Sequence, residues 1–383
     1  MIRSFVPLRS KLARRLFSPS RSTMRNFSPL FGSPFRQCDT ELARALTGKR
    51  ISDWIFKRKL YIRRRVTMRT SSSDLVAIER PKTNSKIFAH TRWDIIPVAA
   101  ALLHCAYFFG MFYLFPRVPL WVMLILGFIY SVSISWNING ISHNFIHNPY
   151  FRSPLLNRLF SIMESITVGF GQVFYECIHM QHHKGNADRP NEDGETIDWI
   201  SIYKHGHDGE AEHVLKYTFG SFFREDPKTV LKELKRKNPR EAFWGVFELV
   251  CFVTTFVILG VLNWRYICFL LPFWYFGHSL SYLNGYYRHY GGNPDEPIAW
   301  GVSTYEKFYN WTWFYNGYHA EHHFRPKVHW TKMQTLRDQI VDEQRRAGVR
   351  VIRVPHALGF LDCDLPASPL QDKNREVRSE SAA

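Results

Sequence analysis

The six cysteines of this chain, at 38, 105, 177, 251, 268 and 363, include no Cys-x-x-C pair and no disulfide-like spacing. That excludes a cysteine-ligated iron–sulfur set and a disulfide scaffold, and it predicts scattered reduced thiols. No His-Glu-x-x-His pattern is present, and no flavin or dinucleotide fingerprint. Acidic residues are absent from residues 1–38, which hold eight Lys or Arg and seven Ser. That stretch also lacks the uninterrupted apolar core of a secretory signal. Its composition fits an organelle transit peptide, mitochondrial in preference to plastid, or else a basic tail resting on anionic lipid.

The net charge of +17 is not spread over the chain. Residues 1–69 hold 18 Lys or Arg against three acids, and the remainder is close to neutral. Basic charge therefore belongs to the N-terminal segment, and nothing calls for nucleic acid. Residues 1–89 read as a targeting and linker segment, largely disordered. Residues 90–365 read as the folded membrane domain, and 366–383 as a polar, disordered tail.

Aromatic residues make up 16% of the sequence, which suits amphipathic rings at a membrane interface. Apolar runs come in two close pairs. The first covers about 94–115 and 120–138, broken by Pro116-Arg117-Val118-Pro119; the second covers 243–262 and 266–284, broken by Asn263-Trp264-Arg265. Each run is near the ~20 residues that cross a bilayer, and each break is only long enough for a hairpin. The expected fold is all-α and integral to a membrane, with four transmembrane helices in two hairpins. Two crossings return the chain to its starting side, so the segments after each pair lie on the N-terminal side. The basic stretches 57–69 and 227–240 fall on that side as well. Residues 155–175 are apolar but broken by Asn157, Glu164, Gly169 and Gly171, and read as an interfacial or half-buried helix. Residues 185–242 are polar and read as part of a cap.

Three histidine clusters lie on that same side: His143 and His147; His179, His182 and His183; His319, His322 and His323. Helix positions three or four apart share a face, so each cluster can aim its imidazoles at one point. Imidazole suits iron, zinc, copper or nickel. Eight such nitrogens exceed the coordination number of one ion, so two ions are expected, held in a helical cap. A zinc hydrolase would want few ligands and a nearby Glu base. Two adjacent irons can hold the oxidising equivalents that activate O₂ and cleave an unactivated C–H bond. A metal-binding transporter would place its ligands near the bilayer midplane, whereas these clusters fall at helix ends. Asp188, Asp193, Asp198 and Glu321 are candidates to orient the imidazoles.

The boxes His-x-x-x-His, His-x-x-His-His and His-x-x-His-His, with two apolar hairpins between them, resemble the membrane fatty acid desaturase/hydroxylase superfamily over roughly residues 90–335. The resemblance implies an integral-membrane enzyme with two Fe ions and O₂ as co-substrate. It implies insertion of a double bond into a lipid acyl chain. The eight box residues carry over as ligands, with no catalytic residue beyond them. It also implies a further His after the fourth membrane helix, a place that His289 fits within Arg288-His289-Tyr290-Gly291. The His-Tyr-Gly triplet is similar to one in alkane monooxygenases, so an alkyl, fatty acid or carotenoid hydroxylase or ketolase is the alternative. The two-residue gap in the second box is that of desaturases. In the stearoyl-CoA desaturase type an Asn stands four residues before this His; here Gly285 does, with Asn284 one residue away. The sequence holds no His-Pro-Gly-Gly haem signature, so electrons are expected from an external cytochrome b5 or ferredoxin-type donor. The expected location is a mitochondrial membrane in preference to the endoplasmic reticulum or a plastid.

His278 stands eleven residues before His289, close to three turns and about 16 Å along the helix, too far to share its ions. It is expected to make a helix-to-helix hydrogen bond, as are His104 and Glu248. His205, His207, His213, His329 and His356 lie in polar stretches and are expected to be solvated or locally bonded.

Overall fold

The computed structural model describes residues 85–362, all within one compact unit, Val76–Ala383. The basic segment 1–38 and the tail from 366 lie outside the described residues.

Four long helices dominate: α1 (Ile95–Leu114), α2 (Leu120–Trp136), and two that appear later in the chain. α2 passes without a break through a π-helical turn, Asn137–Ser142, into α3 (His143–His147). The amphipathic α4 (Pro154–Val168) starts on a Ser153 cap with Pro154 in its first turn. It ends at Gly169, whose φ of 67° is left-handed. A side chain there would also collide with Trp274. α5 (Gln172–Gly185) follows at once. Leu155, Leu156 and Leu159 of α4 are exposed while Phe160, Ser161 and Glu164 are buried, so this helix is half-buried as its broken apolar pattern predicts.

A long loop with one short helix, α6 (Val214–Gly220), leads to α7 (Pro227–Lys237). Asn238 then caps α8 (Pro239–Leu262), and Asn263 ends it and caps α9 (Trp264–His289). β1 (Val302–Thr304), α10 (Lys307–Thr312), α11 (His319–Phe324), α12 (Met333–Arg346) and β2 (Arg350–Ile352) complete the body.

The fold is mostly helical, in keeping with the all-α class, and carries one small two-stranded sheet. β1 and β2 pair in parallel, with Val302 opposite Arg350 and Thr304 opposite Ile352. β-branched residues favour this pairing, and three-residue strands are too short to stand out as a sequence period.

Among the described residues, three helical stretches are long and apolar enough to cross a membrane: Arg92–Leu114, Leu120–His147 and Pro239–Leu262. α9 has 26 residues but is not among them. Its second half carries His278, Ser279, Asn284, Arg288 and His289, all buried inside the bundle. The long helices expose large apolar side chains such as Leu103, Ile125, Val257 and Val261, the pattern of a protein that faces lipid.

α9 packs closely on α2. A side chain at Gly277 would meet the Ser131 carbonyl at 2.9 Å, and Ser131 donates to the Phe273 carbonyl at 2.7 Å. Small residues at such a contact let two backbones approach. Phe108, Met111, Tyr130, Tyr266 and Leu270 form the core between the helices. Cys105, Cys177, Cys251 and Cys268 are free, as their spacing predicts.

Candidate metal centre

The ends of two long helices meet where the histidines gather. His143 and His147 stand beyond the π turn of α2, and His289 is the last residue of α9. α5 contributes His179, His182 and His183, and α11 contributes His319, His322 and His323.

All nine expected histidines come together. His143, His147, His179 and His322 form one group, and His182, His289, His319 and His323 form another. Within each group, one nitrogen per residue lies within 4.8 Å of the others. His183 lies against both. Its Nε2 is 3.2 Å from that of His147, 3.0 Å from that of His179 and 3.0 Å from that of His322. Its ring centre is 4.4 Å from that of His323.

These contacts cannot all be hydrogen bonds between imidazoles. A neutral imidazole carries one N–H, so the His183 Nε2 cannot serve three neighbouring nitrogens. The Nε2 of His143, the Nδ1 of His289 and of His319, and both nitrogens of His323 are buried without a hydrogen-bond partner. Lone pairs converging in a buried space, with no donor to meet them, fit cations between them. Burial, followed by repulsion from neighbouring rings, holds His179, His183, His319, His322 and His323 well below the ordinary imidazole value of 6.5. Neutral imidazole is the form that binds a metal.

Asp198, from the polar loop after α5, fixes one ring. Its Oδ2 accepts from Nδ1 of His182 at 2.7 Å and from the Ala187 amide at 2.9 Å. Asp188 in turn accepts the Asp198 and Ile197 amides at 2.9 and 2.7 Å. With Nδ1 committed as donor, the Nε2 lone pair of His182 points to its group. Glu321 instead accepts from Ser303 and Tyr305, each at 2.7 Å. Asp193 is exposed.

The π turn is braced at both ends. Asn137 bonds His104 at 3.0 Å, and Ser142 donates to Asn137 at 2.9 Å and lies 3.3 Å from Glu164. A π turn shifts the helix face by a fraction of a turn, and such turns recur at functional sites. No sequence period marks it.

A narrow cavity of about 90 Å³ borders both groups. His179, His182, His289 and His319 form part of its wall, with Ile138 and Phe170 among its apolar members. His278 lines it too, and bonds the Val168 carbonyl at 2.9 Å as a helix-to-helix link. His104 and Glu248 are also satisfied within the body. His329 and His356 are buried, not solvated: His329 meets Asp94 at 3.0 Å, and His356 bonds the Val302 carbonyl at 2.8 Å. Gly285 lines the cavity, while Asn284 is 3.4 Å from the Tyr309 hydroxyl. The sequence reading assigned no role to Glu225, which accepts the Tyr282 hydroxyl in the cavity wall, nor to Arg288.

The profile of the fatty acid desaturase family matches residues 119–355, which include every histidine of the two groups. The chain belongs to the fatty acid desaturase family. It is therefore an enzyme of the oxidoreductase class. It is similar to a sphingolipid delta(4)-desaturase of Schizosaccharomyces pombe, with 24% identity over 65% of this chain and 68% of that protein. It is similar also to a sphingolipid delta(4)-desaturase of Komagataella phaffii, with 25% identity over 56% of this chain and 60% of that protein.

Proposed function

We propose that this chain is a membrane lipid desaturase that uses iron and O₂ to place a double bond in an acyl or sphingoid chain. The observation that carries the reading is the convergence of nine histidines into two groups joined at His183, beside an apolar cavity. The family supports it, and so do the names of the two relatives.

On this reading His143, His147, His179 and His322 hold one iron, His182, His289, His319 and His323 hold the other, and His183 stands between them. Iron at such sites supplies the oxidising power to remove hydrogen from unactivated carbon. The chain's residues do the rest. Asp198 holds the His182 ring in one tautomer. Ile138, Phe170 and Phe222 offer the hydrocarbon an apolar wall and keep water from the reacting carbons. Overall, O₂ takes one hydrogen atom from each of two neighbouring carbons, two electrons from a donor and two protons from solvent, and leaves as two waters. The donor is a separate cytochrome b5 or ferredoxin-type protein, drawn to the basic residues of α7.

α1, α2, α8 and α9 are the four crossings of this reading, in two hairpins, with the histidines on the N-terminal side. Residues 90–365 are the catalytic domain, and 1–89 and 366–383 flank it. The acid-free composition of residues 1–38 supports a mitochondrial membrane as destination, which imaging of a tagged full chain tests. The function itself is tested by lipid mass spectrometry of cells expressing the chain or its His322→Ala variant. A lipid two hydrogens lighter, seen only with the unaltered chain, is expected. A product one oxygen heavier points to a hydroxylase, and identical lipids in both cells refute the reading.

A further inference from the structure

Arg288 lines the cavity beside the histidines and is 4% exposed. Its Nε and Nη2 are buried without a hydrogen-bond partner. No carboxylate among the described residues forms an ion pair with it. A guanidinium keeps its charge under all ordinary conditions, and a buried unpaired charge is among the costliest arrangements in a folded protein. Such a group persists where something outside the chain completes it.

The rest of the cavity does not. Neutral imidazoles bring no negative charge, and the metal ions proposed for them add positive charge. Glu225 is the one carboxylate among the described lining residues, and it already accepts the Tyr282 hydroxyl. Tyr282 lies six residues before Arg288 on α9, about 9 Å away by helix rise. A plain methylene chain would leave the guanidinium unmet.

We propose that Arg288 is a specificity residue that receives a hydrogen-bond acceptor oxygen of the substrate, a hydroxyl, carbonyl or carboxylate. Arg288 lines the same small cavity as His179, His182, His289 and His319, so this oxygen shares that space with the carbons that are oxidised. The substrate class is then a lipid modified near its polar end, not in the middle of its hydrocarbon. The inference rests on the desaturase reading, because it concerns the same cavity.

The test uses purified, metal-loaded full chain in detergent and three radiolabelled probes: N-octanoyl sphinganine, octadecanoic acid and octadecane. Binding is measured for the unaltered protein, Arg288→Gln and Arg288→Lys. At least one oxygen-bearing probe should bind about ten-fold or more better than octadecane, because a site built to bond an oxygen rejects the analogue lacking it. Arg288→Gln should lose that preference, and Arg288→Lys should keep part of it. No preference in the unaltered protein, or a preference that survives in Arg288→Gln, overturns the proposal. Should Arg288→Gln not fold, the unaltered protein still decides, because its product can be mapped by ozonolysis. A double bond near the oxygen supports the proposal, and one in mid-chain overturns it. Binding without any turnover of the three probes, with donor and O₂ supplied, counts against the desaturase reading and leaves Arg288 to be judged on binding.

Discussion

The Nε2 of His183 lies 3.0 Å from the Nε2 of His322, although 139 residues separate them in the chain. His322 is buried and His183 half-buried, both rings are held neutral, and His183 makes the same approach to His147 and His179. His147, His179 and His322 belong to the first group, and the His183 ring also stands 4.4 Å from that of His323 in the second, so it lies against both. His183→Ala is expected to lower the iron content further than His143→Ala, which disturbs one group only. Iron per purified chain, by plasma mass spectrometry, measures this. Equal losses in the two variants would mean that His183 is an ordinary member of one group.

Asp198 orients His182 without touching the lone pair that faces the other histidines. Asp198→Asn keeps the shape and removes the charge. Loss of such an outer partner typically costs about 10–100-fold in metal affinity or activity. Iron retention during titration with a chelator should fall by that order in the variant. Retention equal to the unaltered protein would show that the loop merely covers the site.

Gly169 turns the chain between α4 and α5 with a φ of 67°, against Trp274. Alanine there meets both a strained backbone and an occupied space. A non-glycine residue in the left-handed region costs of order 1–3 kcal/mol. Gly169→Ala should lower the thermal midpoint in detergent and displace α5 with its three histidines, so iron content should fall too. An unchanged midpoint would show that the turn can relax.

Burial pushes the Glu225 carboxyl up from 4.5 to about 7, opposed by its bond from Tyr282. Because its folded value is the higher one, the folded state holds the proton more tightly. Its stabilising contribution is present below about pH 4.5 and is lost as pH rises towards 7. Glu225→Gln should therefore flatten part of that decline, read as thermal midpoint against pH. Parallel curves for the two proteins would show that this carboxyl ionises freely.

Much of the centre is legible in the sequence because helical spacing alone puts His143 with His147, and His179 with His182 and His183, on shared faces. The four apolar runs are legible for the same reason, as local composition. What sequence reading misses are contacts made across distance. Asp198 is one of four candidate acids, with Asp188, Asp193 and Glu321, and only the fold brings it to His182. His356 and His329 sit in polar stretches yet are buried by partners 54 and 235 residues away. The π turn leaves no period, and β1 and β2 are each three residues long. Arg288 is visible beside His289, but its lack of a partner shows only once the cavity around it is built.

The central claim is that nine histidines hold a pair of irons. Mössbauer spectroscopy of the purified chain, grown on the iron-57 isotope and quantified against protein, tests it most directly. Two irons per chain, magnetically coupled in the oxidised state and lost in His322→Ala, is the predicted result. Zinc in place of iron, or a single isolated iron, would contradict the account.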